Sequence, residues 1–323
     1  MIKGFESKRH KKLNTLLASL SDLMRHVIIK YDYFFEKIVE MKIDIFRDEN
    51  KRYSKIISAK HMRVIYNRVA VIIDNDKNIR ILNLKDPTKD FKLIGSEKII
   101  NCICILSNNR IVSGSEDGTL IVWDLEIQKA INEFSTGKKI TLLLSMNNNT
   151  FINVSYKTLK VYSLDNQKYP ILQTNSAITC LTAVSLSKVI TGHFNSLTIL
   201  DINTGVKEVI NTHSPVYFVF GVPSHNLVII GLKGNILLIL DIVNKTEKLH
   251  IKIRRHNISD CALLSENKVL ISFLEGTLVI FNCITNVLEK EFTDNDDFIK
   301  AVDTLSDGRI VSAGRDHYLK IWG

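Results

Sequence analysis

The sequence has 323 residues, 45% of them hydrophobic, which is enough for one or two sizeable cores, and its 14 glycines and 4 prolines exclude a collagen-like or linker-rich chain. Its formal charge is +9, to which the first 60 residues contribute 14 basic and 8 acidic side chains. The rest of the chain is nearly balanced, which argues against a nucleic-acid partner, and no run of about 18 apolar residues predicts a transmembrane helix.

The first segment, residues 1–36, predicts a basic amphipathic helix. The basic cluster at residues 8–12 and the polar interruptions after it are unlike a secretory signal, so we expect a soluble, cytoplasmic protein. Apolar residues then recur at the helical period, on a face that includes Leu16, Leu20, Met24 and Val27. Three roles for this face stay open: packing on the chain's own domain, binding a partner protein, or lying on an anionic membrane surface.

Residues 37–46 predict a short strand. Met41, Ile43 and Ile45 alternate with Lys42 and Asp44, which is the pattern of a strand with one buried face. This strand precedes a repetitive region that extends through the rest of the chain.

In that region a short alternating strand that ends in one bulky apolar residue recurs seven times. Those residues are Leu82, Trp123, Tyr162, Leu200, Leu240, Phe281 and Trp322. They are separated by 38 to 41 residues, close to the period of about 40 to 45 residues that is typical of a four-stranded propeller blade. The repeat predicts an all-β, seven-bladed propeller over residues 37–323, with the helix of residues 1–36 as an extension.

The second and seventh repeats carry the most specific motif. Residues 110–124 and 309–322 each contain a strand, a turn with an aspartate, and a strand that reaches a tryptophan. Both segments resemble the WD40 family. The resemblance implies hydrogen-bonded sets within the blades, for which the chain offers Ser113, Asp117, Trp123, Ser312, Asp316, Trp322 and, in the first repeat, Asp76. The turn aspartate is replaced in the middle repeats by Tyr156, Phe194 and Gly234, so we expect incomplete sets there.

The WD40 resemblance also implies how the ring closes. In this family a sequence repeat is offset from a blade, so the unit that ends at Trp322 supplies three strands, and the fourth must come from the other end of the chain. Residues 37–46 have the pattern that this strand requires. Their deletion would leave an unpaired sheet edge.

Residues 20–35 are similar to the truncated F-box-like segment that precedes WD repeats in some proteins of large DNA viruses. For a viral protein the location would be the host cytoplasm. The similarity implies that the helix recruits a ubiquitin-ligase adaptor and that the propeller acts as a substrate receptor.

The sequence offers no catalytic motif. It lacks a nucleophile elbow, a Walker loop, a zincin helix and a dinucleotide fingerprint, so we expect neither an enzyme nor a cofactor. Five cysteines lie in apolar strand patterns, at positions 102, 104, 180, 261 and 283. Cys102 and Cys104 share one face of a strand, but no second pair at ligand spacing accompanies them, so we expect buried, reduced thiols and no metal site.

The WD40 resemblance implies a scaffold that binds proteins through the loops on one face of the ring. The candidate contact residues there are Glu116, Lys138, Lys139, His213, Lys233, Arg254, Arg255, Asp296, Asp297, Arg315, His317 and Tyr318. Arg254 and Arg255 also stand where phosphoinositide-binding propellers carry paired arginines, which suit phosphate recognition. A phosphoinositide-binding propeller is therefore an alternative, as is the F-box-type substrate receptor.

Overall fold

Antiparallel strands make up almost all of the regular structure. The computed structural model of the protein describes residues 43–45, 59–65, 68–73, 77–83, 86–95, 98–107, 109–165, 169–253, 257–293, 298–305, 307–314 and 319–322. Within these residues lie 28 strands and two short 3-10 helices, Pro87–Lys89 and Pro223–His225. The predicted all-β fold is confirmed, and the helix predicted in residues 1–36 lies outside the described residues.

Strand β1, Ile43–Ile45, comes first in the chain and is followed by sheets of consecutive strands. Blade 1 consists of β2 (Ala59–Ile65), β3 (Arg68–Ile73), β4 (Asn78–Asn83) and β5 (Phe91–Ile94). Blade 2 consists of β6 (Ile100–Ser107), β7 (Arg110–Ser115), β8 (Thr119–Asp124) and β9 (Lys129–Ser135). Blade 3 consists of β10 (Leu142–Ser145), β11 (Thr150–Ser155), β12 (Thr158–Ser163) and β13 (Ile171–Gln173).

The next three sheets repeat the same order. Blade 4 consists of β14 (Cys180–Ala183), β15 (Lys188–Gly192), β16 (Ser196–Asp201) and β17 (Lys207–Asn211). Blade 5 consists of β18 (Val216–Val222), β19 (Leu227–Leu232), β20 (Ile236–Asp241) and β21 (Thr246–Lys252). Blade 6 consists of β22 (Ile258–Ser265), β23 (Lys268–Phe273), β24 (Thr277–Asn282) and β25 (Val287–Thr293).

The last sheet, which we name the terminal sheet, differs because only three strands follow blade 6. These are β26 (Ile299–Thr304), β27 (Ile310–Gly314) and β28 (Leu319–Trp322), and the order of the sheet is β1-β28-β27-β26. Among the described residues there are therefore six blades of consecutive strands rather than the predicted seven, because the terminal sheet takes its fourth strand, β1, from the start of the chain. Strand β1 lies inside the range 37–46 predicted for the closing strand, and most of that range lies outside the described residues.

The periodic residues of the sequence mark the third strand of every blade. Leu82, Trp123 and Tyr162 lie on β4, β8 and β12, and the later ones follow the same rule, up to Trp322 at the end of β28. Each of these third strands pairs with two strands of its own sheet. The prediction that each repeat of the sequence corresponds to one sheet is therefore confirmed for the strands that carry the periodic residues.

Strand β8 shows why these strands are apolar on both faces. Ile121 and Trp123 belong to a core cluster shared with blade 1, whereas Leu120 and Val122 belong to a cluster shared with blade 3. Because side chains alternate along a strand, the two faces of one blade pack against two different neighbours. All four side chains are almost fully buried.

The core is consequently divided into clusters that lie between adjacent sheets. One of them joins the first blade to the last sheet: Met62 and Leu82 pack with Ala301, Val311 and Ile321. The first strands of the sheets contact one another in sequence, and β26 contacts β2. Within the compact unit Ile45–Ile321, apolar packing thus connects the beginning of the repeats to their end.

Side chains of the first strands also bind the backbone of the next first strand. Thr182 Oγ1 accepts the Gly221 N–H at 2.8 Å, and Asp303 Oδ2 accepts the Val64 N–H at 2.8 Å. The approach at Gly221 requires glycine, because an added Cβ would lie 2.3 Å from the Ala183 carbonyl oxygen. These contacts hold the inner strands at a fixed spacing.

None of the helices among the described residues has the length and apolar character needed to cross a membrane.

Candidate functional site

Blade 2 contains the best-formed hydrogen-bonded set. Trp123 on β8 donates its indole N–H to Ser113 Oγ on β7 at 2.8 Å, and both side chains are buried. Asp117, in the turn between these strands, accepts the Ser115 hydroxyl and the Thr119 N–H, each at 2.9 Å. Of the three residues implied by the resemblance, Ser113 and Trp123 thus form one pair, whereas Asp117 pairs with Ser115, a residue that the sequence analysis missed.

The charge of Asp117 is stabilised by this turn. Partial burial raises its pKa, but the hydrogen bonds from Thr119 and Ser115 outweigh that effect and leave the pKa below its ordinary value. Gly118, with φ of +88°, completes the turn in a backbone conformation that glycine adopts most easily. A carboxylate held in this way fixes the turn.

Blade 4 has a different polar set, built around His193. The ring is buried, with Nε2 2.8 Å from Thr191 Oγ1 and Nδ1 3.0 Å from the Ala177 carbonyl oxygen. A carbonyl oxygen can only accept, so Nδ1 carries the proton and donates to Ala177. Thr191 and His193 stand two residues apart on or beside β15, as Ser113 and Ser115 do on β7, and this spacing was the signal available in the sequence.

His193 gives the protein a predicted acid sensitivity. Burial lowers its pKa below the ordinary 6.5, although hydrogen bonds to Ala177 and Ser176 oppose the shift. The unfolded chain therefore takes up this proton first, so the stabilising effect of neutral His193 is complete above pH 6.5 and is lost as the pH falls below it. We expect the melting temperature of the native protein to fall more steeply between pH 7.5 and 5.5 than that of His193→Gln. Equal slopes would contradict this.

In blade 3 the polar side chains at the corresponding positions are not all hydrogen-bonded. Asn153 Oδ1, Ser155 Oγ and Tyr162 Oη are buried and have no hydrogen-bond partner among the described residues. The Tyr162 ring instead stacks on Phe151, with centroids 5.4 Å apart. The expectation of incomplete sets in the middle repeats agrees with this geometry.

A cavity of about 610 Å³ lies inside the ring of first strands, which all contribute to its lining. Its lining includes the charged residues Arg63, Asp260, Lys300 and Asp303. Arg63 Nη1, on β2, donates to Asp260 Oδ2 at 3.4 Å and to the Met62 carbonyl oxygen at 2.8 Å. Asp260 Oδ2 also accepts the Val302 N–H at 3.3 Å. The Arg63–Asp260 pair therefore crosses from β2 over β26 to β22.

The surroundings shift the pKa values of Asp260 and Asp303, the two carboxylates beside Arg63. Burial raises the pKa of Asp260 and that of Asp303, while the Arg63 guanidinium opposes both rises. Each carboxylate binds a backbone N–H of a neighbouring first strand. Arg63 and Asp260 are thus bound to each other, and both carboxylates also bind the backbone of the ring.

The loop face consists of the turns between second and third strands and of the connections between sheets. Because strands alternate in direction, all these segments lie at the same edge of their blades. In its described part the solvent-exposed side chains include Glu116, Lys138, Lys139, Tyr156, Phe194, His213 and Lys233. Lys139 forms an ion pair with Glu116.

Two segments of the chain match the profile of the WD40 family, described as WD domain, G-beta repeat. They are residues 88–124 and 286–323. The first includes the turn of Asp117 and reaches Asp124, one residue after Trp123, and the described strands have the arrangement of a β-propeller. The chain contains WD40 repeats at two positions within a β-propeller. A comparison with curated proteins gave no significant match.

Several predicted residues of this WD40-repeat propeller lie outside the described residues. They are the helix face of Leu16, Leu20, Met24 and Val27, the turn residues Asp76 and Asp316, and the loop candidates Arg254, Arg255, Asp296, Asp297, Arg315, His317 and Tyr318. Ser312 is described, buried on β27. The F-box-like alternative depends on the helix face, and the phosphoinositide alternative depends on Arg254 and Arg255, so both stay predictions.

The cysteines of the WD40-repeat propeller are buried and free. Burial raises the pKa of Cys104 and of Cys180 to about 12, so both thiols stay protonated at neutral pH. Cys102 Sγ lies 4.0 Å from the Gly114 carbonyl oxygen, inside the core between blades 2 and 3. No group of three or more metal-binding side chains occurs in the part of the chain that the structure describes.

Proposed function

We propose that this WD40-repeat propeller is a non-catalytic scaffold that binds partner proteins through its loop face, in the cytoplasm. A single observation carries the proposal: the polar sets of blades 2 and 4 hold turns and strands, whereas the loop face presents cationic and aromatic side chains to solvent. Aromatic and cationic groups of this kind contribute strongly to protein interfaces.

The proposal includes a closed ring, in which the terminal sheet lies between blade 6 and blade 1. The order β1-β28-β27-β26 and the contact of β26 with β2 support this closure. A closed ring holds the loops of all blades on one rigid frame, which a binding surface requires.

The test compares charge reversals on the two faces. We expect Lys138→Glu combined with Lys233→Glu to weaken capture of partner proteins from cells of the source organism, because both exposed lysines project from the loop face. Lys129→Glu combined with Lys188→Glu is the matched control, because these exposed lysines begin β9 and β15 at the opposite edge.

Quantitative mass spectrometry of the captured proteins, with melting temperatures as a check on folding, gives the result. The proposal predicts loss of a defined set of proteins with the first variant and its retention with the control. It is wrong if both variants capture the same set as the native protein, or if the control alone loses it.

A further inference from the structure

Two aromatic side chains stand in solvent on the loop face of adjacent blades. Tyr156, in the turn between β11 and β12, is 66% exposed, and Phe194, in the turn between β15 and β16, is 67% exposed. Both stand at the position that the turn aspartate occupies in blade 2. Large exposed aromatic surfaces on neighbouring turns are typical of interaction sites rather than of a bare protein surface.

The backbone at Tyr156 makes this exposure more informative. Ser155 pairs with Thr158, so Tyr156 and Lys157 alone form the hairpin turn. Tyr156 has φ of +59°, a left-handed conformation that favours glycine or asparagine and strains a bulky residue. The corresponding turns of blades 2, 5 and 6 place Gly118, Gly234 and Gly276 in this region of φ. A tyrosine here adds strain to the turn and buries little of its surface, so turn stability does not explain it.

One connecting segment holds the two aromatic turns beside each other. The Ile178 N–H binds the Tyr156 carbonyl oxygen at 2.9 Å, and the neighbouring Ala177 carbonyl accepts from His193 Nδ1 at 3.0 Å. Phe194 directly follows His193 in the chain. Tyr156 and Phe194 therefore flank the same short segment between blades 3 and 4.

The surroundings of this pair are basic. The loops of this face between residues 116 and 235 contain the lysines 138, 139, 157 and 233, and the carboxylates Glu116 and Asp117. Glu116 pairs with Lys139, and Asp117 is held by Ser115 and Thr119. Lys157 Nζ lies 5.5 Å from the centre of the Tyr156 ring, so a positive charge accompanies the aromatic surface itself.

We infer that the surface formed by Tyr156, Lys157 and Phe194 binds an acidic segment of a partner protein that carries an apolar side chain. The apolar side chain packs on the two exposed rings, and the acidic groups pair with Lys157 and the neighbouring lysines. Charge complementarity selects this occupant, since a basic segment would meet like charges. The inference rests on the proposed scaffold function and names the class of partner for one part of the loop face.

The experiment is selection of a random peptide library on the full-length protein, immobilised in parallel with the double variant Tyr156→Asn, Phe194→Ser. We expect peptides enriched in Asp and Glu around a Phe, Leu or Ile, and about tenfold weaker binding of these peptides to the variant in fluorescence anisotropy. The melting temperature of Tyr156→Asn should equal or exceed that of the native protein, because asparagine tolerates this φ better than tyrosine. Leu186→Ser with Ile127→Ser, two exposed aliphatic residues at the opposite edge, is the matched control.

Enrichment of basic or uncharged peptides, or equal binding to the native protein and the double variant, overturns the inference. A fluorescent single-stranded oligonucleotide tested alongside covers another polyanion, because bases also stack on aromatic side chains. Oligonucleotide binding that depends on Tyr156 and Phe194, without enrichment of acidic peptides, overturns it as well. If the lysine reversals at positions 138 and 233 abolish partner capture but the aromatic variant does not, the scaffold function stands and this inference fails.

Discussion

Replacing Trp123 by alanine is expected to lower the free energy of unfolding by about 3–5 kcal/mol, the cost typical of removing a large aromatic side chain from a packed core. The indole is 1% exposed and packs with Ile79, Ile111 and Ile121 between blades 1 and 2. Its removal also leaves the buried Ser113 hydroxyl without its donor. Urea denaturation followed by circular dichroism measures the loss.

Ser113→Ala separates the hydrogen bond from the packing at this site. It removes the acceptor of the Trp123 N–H and leaves the indole in place, so we expect a loss of about 1–2 kcal/mol. Trp123→Phe is the complementary variant, which keeps an aromatic ring but no N–H donor. If Trp123→Ala costs no more than Ser113→Ala, then Trp123 does not anchor the interface between blades 1 and 2.

Replacing Asp260 by alanine should have the second largest effect. It removes the acceptor of the Val302 N–H and the carboxylate partner of Arg63 at once. Breaking a buried pair costs about 3–5 kcal/mol, but the side chain of Arg63 is 37% exposed and water compensates part of its loss. We therefore expect a loss of about 2 kcal/mol, measured by chemical denaturation at neutral pH.

Asp260→Asn is the control for the charge. The amide oxygen still accepts the Val302 N–H, and the neutral group suits a position where burial already raises the pKa of the native carboxyl. A loss clearly smaller than that of the alanine variant is expected. Equal losses for both variants would show that the charge on Asp260, rather than its hydrogen bonds, holds the first strands.

The periodic part of this fold is readable from the sequence because it depends on local pattern. Each periodic residue, from Leu82 to Trp322, follows from an alternating strand next to a turn, and the interval between them is set by four short strands per blade. The pair of Ser113 and Trp123 lies within one hairpin, so a motif of about fifteen residues contains both partners. Strand β1 at residues 43–45 falls inside the strand predicted at 37–46 for the same reason.

The contacts between blades could not be predicted from such local patterns in the sequence. Arg63 and Asp260 are 197 residues apart, and nothing in the alternation of β2 or β22 distinguishes them from other polar residues on a first strand. His193 was missed because its partners, Thr191 and the Ala177 carbonyl, form a set different from that of blade 2. Tyr156 could be placed in its turn, but its exposure and its positive φ depend on the folded hairpin.

The division of the core into separate clusters has an evolutionary consequence. Since each cluster lies between two neighbouring sheets, a substitution that weakens one of them leaves the packing of distant blades intact. The turns that carry Tyr156 and Phe194 add little to any cluster, so they can accumulate changes, or accept grafted segments, at small cost to folding. New recognition specificities can therefore arise on this ring one blade at a time, while the remaining blades preserve the architecture.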